Sequence, residues 1–121
     1  MSFFRTFITR MKIRAVARKV EGARSMRDIQ RFAFAAHLDK PALSTPSAEL
    51  SYRDIEDRAL RLVGAWRAAG VRKGSRVVVL LGDDWPQLVV RFAATEAGVV
   101  LVGFNSAHAA LLMSQTVRDL A

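Results

Sequence analysis

The sequence predicts an α/β fold in which a β-hairpin precedes a parallel βαβ unit and helices flank both. The dipeptide Pro46-Ser47 separates two short extended segments, as the turn of a hairpin does. Two apolar runs of strand length, 77–81 and 98–104, lie on either side of a helix-length segment with helical periodicity. Parallel strands joined through a helix form a right-handed crossover, so these runs predict one βαβ unit.

The composition is that of one packed domain. The chain has 121 residues, of which 51% are hydrophobic, which favours a folded core over disorder. It has no cysteine, and this excludes disulfides, thiolate zinc sites and a cysteine nucleophile. The longest apolar runs are too short to span a bilayer, and Arg5 and Arg10 interrupt any signal peptide. We therefore expect a cytoplasmic protein.

The positive charge lies at the N-terminus. The net charge is +8, and residues 1–31 hold nine Lys and Arg against two acids. The remaining ninety residues are nearly balanced, with ten basic and nine acidic side chains. The high isoelectric point therefore describes an N-terminal arm and does not indicate a nucleic-acid-binding body.

This basic arm is predicted to be an amphipathic helix from Phe3 to Val20 that ends at Gly22. The arm could lie on an anionic membrane surface, contact nucleic-acid phosphates, or pack its apolar stripe on the body. Its aromatic and basic composition favours lipid over nucleic acid, which predicts no nucleic-acid partner. Packing on the body is the default interpretation, and a peripheral position at the inner membrane face is the alternative to it. The candidate membrane-surface residues are Phe4, Arg5, Phe7, Ile8, Arg10 and Lys12.

Two capping boxes mark the next helices. Ser25 and Asp28 predict the start of a helix that stops before Pro41, and the hairpin strands follow at 42–45 and 49–51. Ser51 and Asp54 predict the start of a longer helix, which Gly70 ends in the left-handed conformation. Its apolar stripe is Tyr52, Ile55, Ala59, Leu62, Val63 and Trp66.

The βαβ unit has three predicted elements, followed by a last helix at Ala109–Leu120. The first strand, Arg76–Leu81, is rich in β-branched residues and is predicted to be buried on both faces, as parallel strands are. A helix spans Trp85–Ala97, and the second strand is Val99–Phe104.

The loop between the first strand and its helix resembles a phosphate-binding junction at first sight. A phosphate cradle needs several glycines and usually a lysine, whereas residues 82–86 offer one glycine and two carboxylates. The sequence instead predicts that Asp83 or Asp84 caps the helix and that Pro86 occupies its first turn. A metal site on the two aspartates is the alternative, but it lacks neighbouring ligands.

Other candidate catalytic groups are few. His37 and His108 are too few for a zinc site, and both are predicted at helix ends. No base accompanies Ser44, Ser47 or Ser51, so a hydrolase triad has no support. Trp66, Trp85 and Phe92 are predicted to be core or cover residues rather than stacking platforms.

Several spaced motifs resemble the N-terminal part of the adenylate-forming superfamily, which contains AMP-forming acyl-CoA synthetases. The segment Leu50-Ser51-Tyr52-Arg53-Asp54-Ile55 looks like the first core motif of that superfamily, and Ala94-Thr95-Glu96-Ala97-Gly98 begins what looks like the second. Residues 70–77 between them are in register. The ending Gly103-Phe104-Asn105-Ser106 is most similar to fatty-acyl-CoA synthetases of the fatty-acid-transport type.

The resemblance implies a division at residue 24, with a basic arm at 1–24 and a partial AMP-binding N-terminal domain at 25–121. In the family a carboxylate attacks the α-phosphate of ATP and CoA then cleaves the acyl-AMP, with ATP, magnesium and CoA as cofactors. The phosphate loop and later catalytic motifs of the family are absent before Ala121. The resemblance therefore implies a fragment that is inactive alone, binds no cofactor, has no catalytic residue and has the remainder of a synthetase as its partner. We expect its incomplete sheet to promote self-association.

Overall fold

The computed structural model describes residues 12, 14–82, 84–104 and 109–120. The chain forms two compact units, Met1–Ala36 and His37–Ala121. The predicted division at residue 24 stays a prediction. In chain order the described elements are α1 (14–21), α2 (Met26–Ala35), β1 (Pro41–Thr45), β2 (Ala48–Ser51), α3 (Tyr52–Ala68), β3 (Arg76–Val79), α4 (Trp85–Ala97), β4 (Val100–Gly103) and α5 (Ala109–Leu120). This order confirms the predicted α/β class.

The first unit contains α1 and α2. Ser25 caps α2 as predicted, and its hydroxyl accepts a hydrogen bond from the Asp28 amide at 3.3 Å. The Asp28 carboxylate accepts its bond from the Arg24 amide at 3.0 Å rather than from Ser25, so the predicted capping box is only half formed. The Lys19 ammonium lies 4.5 Å from the centre of the Phe32 ring, a cation–π contact between α1 and α2.

The second unit opens with the predicted hairpin. β1 and β2 pair in antiparallel register, with Thr45 opposite Ala48 and Ser44 opposite Glu49. The Thr45 hydroxyl accepts a hydrogen bond from the Ala48 amide at 3.0 Å and thereby closes the two-residue turn. Each strand begins one residue earlier than predicted, at Pro41 and Ala48.

α3 has the capping box and the C-terminal cap that the sequence predicts. The Asp54 amide donates to the Ser51 hydroxyl at 3.1 Å, and the Ser51 amide donates to the Asp54 carboxylate at 2.9 Å. At the other end Gly70 has a φ of 87°, and the Val71 amide donates to the Trp66 carbonyl at 2.9 Å. The Gly70 amide also donates to the Arg67 carbonyl at 3.1 Å, and the two bonds together form the Schellman arrangement, which glycine favours.

The core of this unit lies between α3 and α4. Its centre is small, because Ala59 and Ala93 let the two helices approach closely, with Val63 and Val89 beside them. Partly buried apolar side chains pack around this centre: Leu62, Trp66, Trp85, Phe92 and Ala97. The prediction that the two tryptophans and Phe92 are core or cover residues is confirmed.

β3 and β4 form a parallel pair in which Arg76 lies opposite Val100. β3 was predicted to be buried on both faces, and this is wrong for the described part of the chain. Val77 and Val79 are half-buried, whereas the alternate residues Val78 and Leu80 are exposed. α4 covers one face only, because a single crossover helix packs on one side of its sheet. The two strands are also shorter than predicted, at four residues each.

Candidate functional site

The junction between β3 and α4 is the point where the sequence suggested a nucleotide site. Asp84 is the N-cap of α4 and Pro86 lies in its first turn, as predicted. Asp83, the other candidate cap, lies outside the described residues. The junction is therefore built by helix-capping chemistry, which leaves the question of whether it can also hold an anion.

The backbone amides at the start of α4 have no capacity for a phosphate. The Asp84 amide donates to the Gly82 carbonyl at 2.9 Å, and the Trp85 amide donates to the Asp84 carboxylate at 2.7 Å. Pro86 has no amide hydrogen, and the Gln87 amide donates to the Asp84 carbonyl at 3.1 Å. A phosphate cradle needs several free amides at a helix start. Residues 84–87 offer none and add a carboxylate that repels the anion.

An open groove of about 390 Å³ lies beside this junction. The hairpin forms one wall and the first two turns of α4 form the other. The Arg58 guanidinium lies 4.7 Å from the centre of the Trp85 ring and fixes it by a cation–π contact. The lining residues are Leu43, Thr45, Asp84, Trp85, Gln87, Leu88 and Arg91. These described lining residues include no histidine and only one carboxylate, so they can bind or pack another group but provide no acid–base pair for catalysis.

The first motif of the resemblance, at 50–55, is a structural element. The Ser51 hydroxyl and amide hydrogen bonds hold the pKa of the Asp54 carboxyl below its usual value. The Arg53 guanidinium donates to Asp39 at 2.7 Å and joins the start of α3 to the loop before the hairpin. Leu50 and Ile55 are both buried. The motif therefore fixes the hairpin–α3 corner.

The second motif, at 94–98, ends α4 against the turn before β3. Gly98 has a φ of 69°, and its carbonyl accepts a hydrogen bond from the Gly74 amide at 2.8 Å. Glu96 is buried, which sequence reasoning missed. The signal in the sequence was a single carboxylate within a run of otherwise small residues, 93–98. The described contacts of both motifs hold neighbouring elements together.

The structure describes only some of the remaining candidate site residues. Five of the candidate membrane-surface residues and His108 lie outside the described residues, and Lys12 is helical and exposed. His37 follows the end of α2, and its ring lies 5.9 Å from that of Tyr52. Across the described ranges, no group of three or more His, Asp or Glu side chains could hold a metal ion. Over the same ranges, no helix has both the length and the apolarity needed to cross a bilayer.

Comparison with known proteins shows the family. The sequence pattern of the AMP-binding enzyme family matches residues 29–120, most of the chain. A curated relative is the phosphinothricin tripeptide synthetase PhsC of Streptomyces viridochromogenes, which is 32% identical over 82 residues. The match covers 68% of this chain and 8% of the relative. The chain thus belongs to the AMP-binding enzyme family and spans a small part of the length of this relative.

Solved structures agree with this assignment. The N-terminal subdomain of Klebsiella oxytoca NpsA overlays with a TM-score of 0.72 at 18% identity, over 79% of this chain and 25% of that one. A protein of Rhodopseudomonas palustris designated a long-chain-fatty-acid CoA ligase overlays with a TM-score of 0.63 at 26% identity. That overlay covers 69% of this chain and 21% of the ligase. The fold is that of the N-terminal subdomain of adenylate-forming enzymes.

Proposed function

We propose that this chain forms the N-terminal part of an AMP-forming long-chain fatty-acyl-CoA synthetase and is inactive by itself. The observation that carries the proposal is the family match over 29–120, combined with a helix start whose amides are all occupied or absent. The overlay on the Rhodopseudomonas palustris ligase and the resemblance at 103–106 support a fatty acid as the acyl substrate.

The described residues at the β3–α4 junction do not fit the cofactors of the family. ATP and its magnesium ion need a phosphate cradle and oxygen ligands in one place. The described residues at the β3–α4 junction supply no phosphate cradle and a single carboxylate, Asp84. The described lining of the groove beside it adds no further acidic side chain. We therefore assign this chain a scaffold role and place the binding of ATP, magnesium and CoA in the remainder of a synthetase.

The experiment compares the isolated chain with the assembly that contains it. The chain is tagged at its own chromosomal locus and purified under native conditions, and acyl-adenylate formation is measured as ATP–pyrophosphate exchange. We expect exchange with fatty acids of long chain length in the native preparation and none with the recombinant 121-residue chain. Exchange by the recombinant chain would contradict its inactivity, and exchange only with amino acids would contradict a fatty-acyl substrate.

A second candidate function is peripheral attachment to an anionic membrane at the inner face. In α1, Val16 and Val20 are exposed and lie one helical turn apart, and Arg14 and Arg18 are exposed beside them. Exposed apolar side chains next to cations are typical of a helix that lies in the membrane interface. A helix that only packs on the rest of the protein does not account for the exposure of these two valines.

Co-sedimentation with phosphatidylglycerol-containing vesicles tests this attachment. Replacement of Arg14 and Arg18 by Gln is expected to lower the partition coefficient roughly thirtyfold, because each cation near the surface adds attraction to anionic lipid. The control variant, in which Arg67 and Arg91 are replaced by Gln, has the same net charge as the variant of Arg14 and Arg18. It should bind like the wild type. Equal loss in both variants, or binding that survives deletion of residues 1–24, would contradict attachment through the arm.

A further inference from the structure

The stripe of α4 that lines the groove beside the β3–α4 junction has opposite charges at its two ends. Its four residues are spaced three or four apart, which places their side chains on one face of the helix: Asp84, Gln87, Leu88 and Arg91. Asp84 and Arg91 are exposed, and the two residues between them are half-buried. The seven-residue separation of the two charged residues corresponds to about 10 Å along the helix axis.

The polar side chains of this stripe have unused bonding capacity. Within the described residues, neither the Arg91 guanidinium nor the Gln87 carboxamide has a hydrogen-bond or ion-pair partner. The Asp84 carboxylate uses one oxygen for the Trp85 amide, which leaves the other oxygen for a second donor. The Arg58 cation, by contrast, is engaged over the Trp85 ring. The described lining therefore has one acid at one end and one base at the other.

Apolar side chains occupy the middle of the groove. Leu88 lies between the charged ends of the stripe, and Leu43 lines the wall that β1 forms. The Thr45 hydroxyl on the same wall is already bonded within the hairpin turn. At about 390 Å³ the groove admits side chains of a helix that lies along its mouth. An apolar centre between charged ends is typical of a contact between proteins.

We propose that this stripe pairs two copies of the chain through an antiparallel contact between their α4 helices. A two-fold axis that passes between Gln87 and Leu88 places Asp84 opposite Arg91 of the partner subunit, and the same symmetry creates the reciprocal pair. Leu88 then packs into the apolar centre of the groove of the other copy. The proposed dimer depends neither on the acyl substrate nor on membrane attachment.

The arrangement of the charges identifies the occupant as a second copy. A contact of a surface with itself across a two-fold axis requires the acid and the base at equal distances from that axis. Asp84 and Arg91 meet this condition, since they lie equally far from the middle of the stripe. An acidic protein or an anionic surface would be repelled by Asp84. Because the contact is small, the dimer is weak, and vesicle binding at submicromolar concentration reports the monomer.

Sedimentation equilibrium of the recombinant 121-residue chain tests the dimer. At submillimolar concentration we expect the mass to rise from the 13.4 kDa of one chain towards twice that value. Arg91→Asp and Asp84→Arg should each weaken the dimer at least about tenfold, because each reversal turns both attractive contacts into repulsive ones.

Charge exchange distinguishes this contact from other causes of association. The double variant with Asp84→Arg and Arg91→Asp restores both pairs and should recover the dimer, and a mixture of the two single variants should form a heterodimer. The N-cap of α4 is lost in the single and the double variant alike, so recovery cannot come from helix stability. Association through the open edge of the β3–β4 sheet would be unaffected by these substitutions.

A cysteine beside the axis tests the contact with both charges and the cap in place. The chain has no cysteine of its own, and Leu88 is adjacent to the proposed axis. Leu88→Cys should therefore form disulfide-linked pairs on oxidation with diamide. Leu60→Cys is the matched control, because Leu60 is an exposed leucine of α3 outside the groove, and it should remain mostly unlinked.

Four results would overturn the proposal. They are a wild-type chain that stays monomeric at submillimolar concentration, a dimer that Arg91→Asp does not weaken, a folded double variant that stays monomeric, and equal linking at positions 88 and 60. If circular dichroism shows that Asp84→Arg is unfolded, Asp84→Asn keeps a good N-cap and removes the charge, and undiminished dimerisation of that variant would count against the contact. None of these results bears on which acid the native preparation activates.

Discussion

Replacement of Ile55 by Ala is expected to lower the free energy of unfolding of the second unit by about 3 kcal/mol. Ile55 is the largest fully buried side chain among the described residues, with 1% of its surface exposed. Its removal leaves a cavity at the hairpin–α3 corner, where Ser51 and Asp54 fix the backbone. Small domains are stable by roughly 5–15 kcal/mol, so this loss is a large fraction of the total. Urea denaturation followed by circular dichroism measures it.

Leu60→Ala is the matched control for Ile55→Ala. Leu60 lies in the same helix and is 50% exposed, so its truncation should change the free energy of unfolding by no more than about 0.5 kcal/mol. Similar midpoints for the two variants would contradict the burial of Ile55. A destabilisation below about 1 kcal/mol for Ile55→Ala would mean that the corner relaxes to fill the cavity.

Gly98→Ala and Gly64→Ala are expected to change stability in opposite directions. Gly98 has a φ of 69°, where a side chain costs about 1–2 kcal/mol, and an added Cβ would lie 3.0 Å from Cγ of Lys73. Gly64 lies inside α3, and an added Cβ would meet no atom within 4 Å. Alanine there should stabilise by about 0.5–1 kcal/mol, since it restricts the unfolded chain. Thermal unfolding of the two variants measures both effects.

The double variant Gly98→Ala with Lys73→Ala separates the two causes of destabilisation. The backbone conformation is unaffected by truncation of Lys73, so most of the loss should remain. Full recovery would assign the effect to the contact with Lys73. A stabilising Gly98→Ala would contradict the left-handed conformation of this residue.

Local rules predicted those parts of the fold that depend on a few consecutive residues. Ser51, Asp54 and Gly70 act as predicted because capping is decided by nearby backbone groups. The start of α4 was predicted equally well, since Asp84 and Pro86 have strong positional preferences. The hydrogen bond from the Arg24 amide to the Asp28 carboxylate was not predicted, because the capping-box pattern specifies only the N-cap residue, Ser25, as the partner.

The burial of β3 shows where local rules fail. Its β-branched run is the pattern of a strand covered on both faces. Val78 and Leu80 are nevertheless exposed, because their burial depends on whether another element packs on that face, and the residues of the strand do not determine this. The burial of Glu96 was missed for the same reason, because it depends on which side chains pack around α4. By contrast, the residue types at 82–86 alone predicted no phosphate cradle at this junction. The amides of Asp84, Trp85 and Gln87 each have a protein acceptor.

The position of the aromatic residues gives this protein a selective optical reporter. Both tryptophans, Trp66 and Trp85, pack against the α3–α4 core, and the single tyrosine is the first residue of α3. The first unit, Met1–Ala36, contains neither residue type. Intrinsic fluorescence therefore follows the second unit alone, while unwinding of α1 and α2 changes only the far-ultraviolet signal. A difference between these two signals on heating would measure how independently the two units unfold.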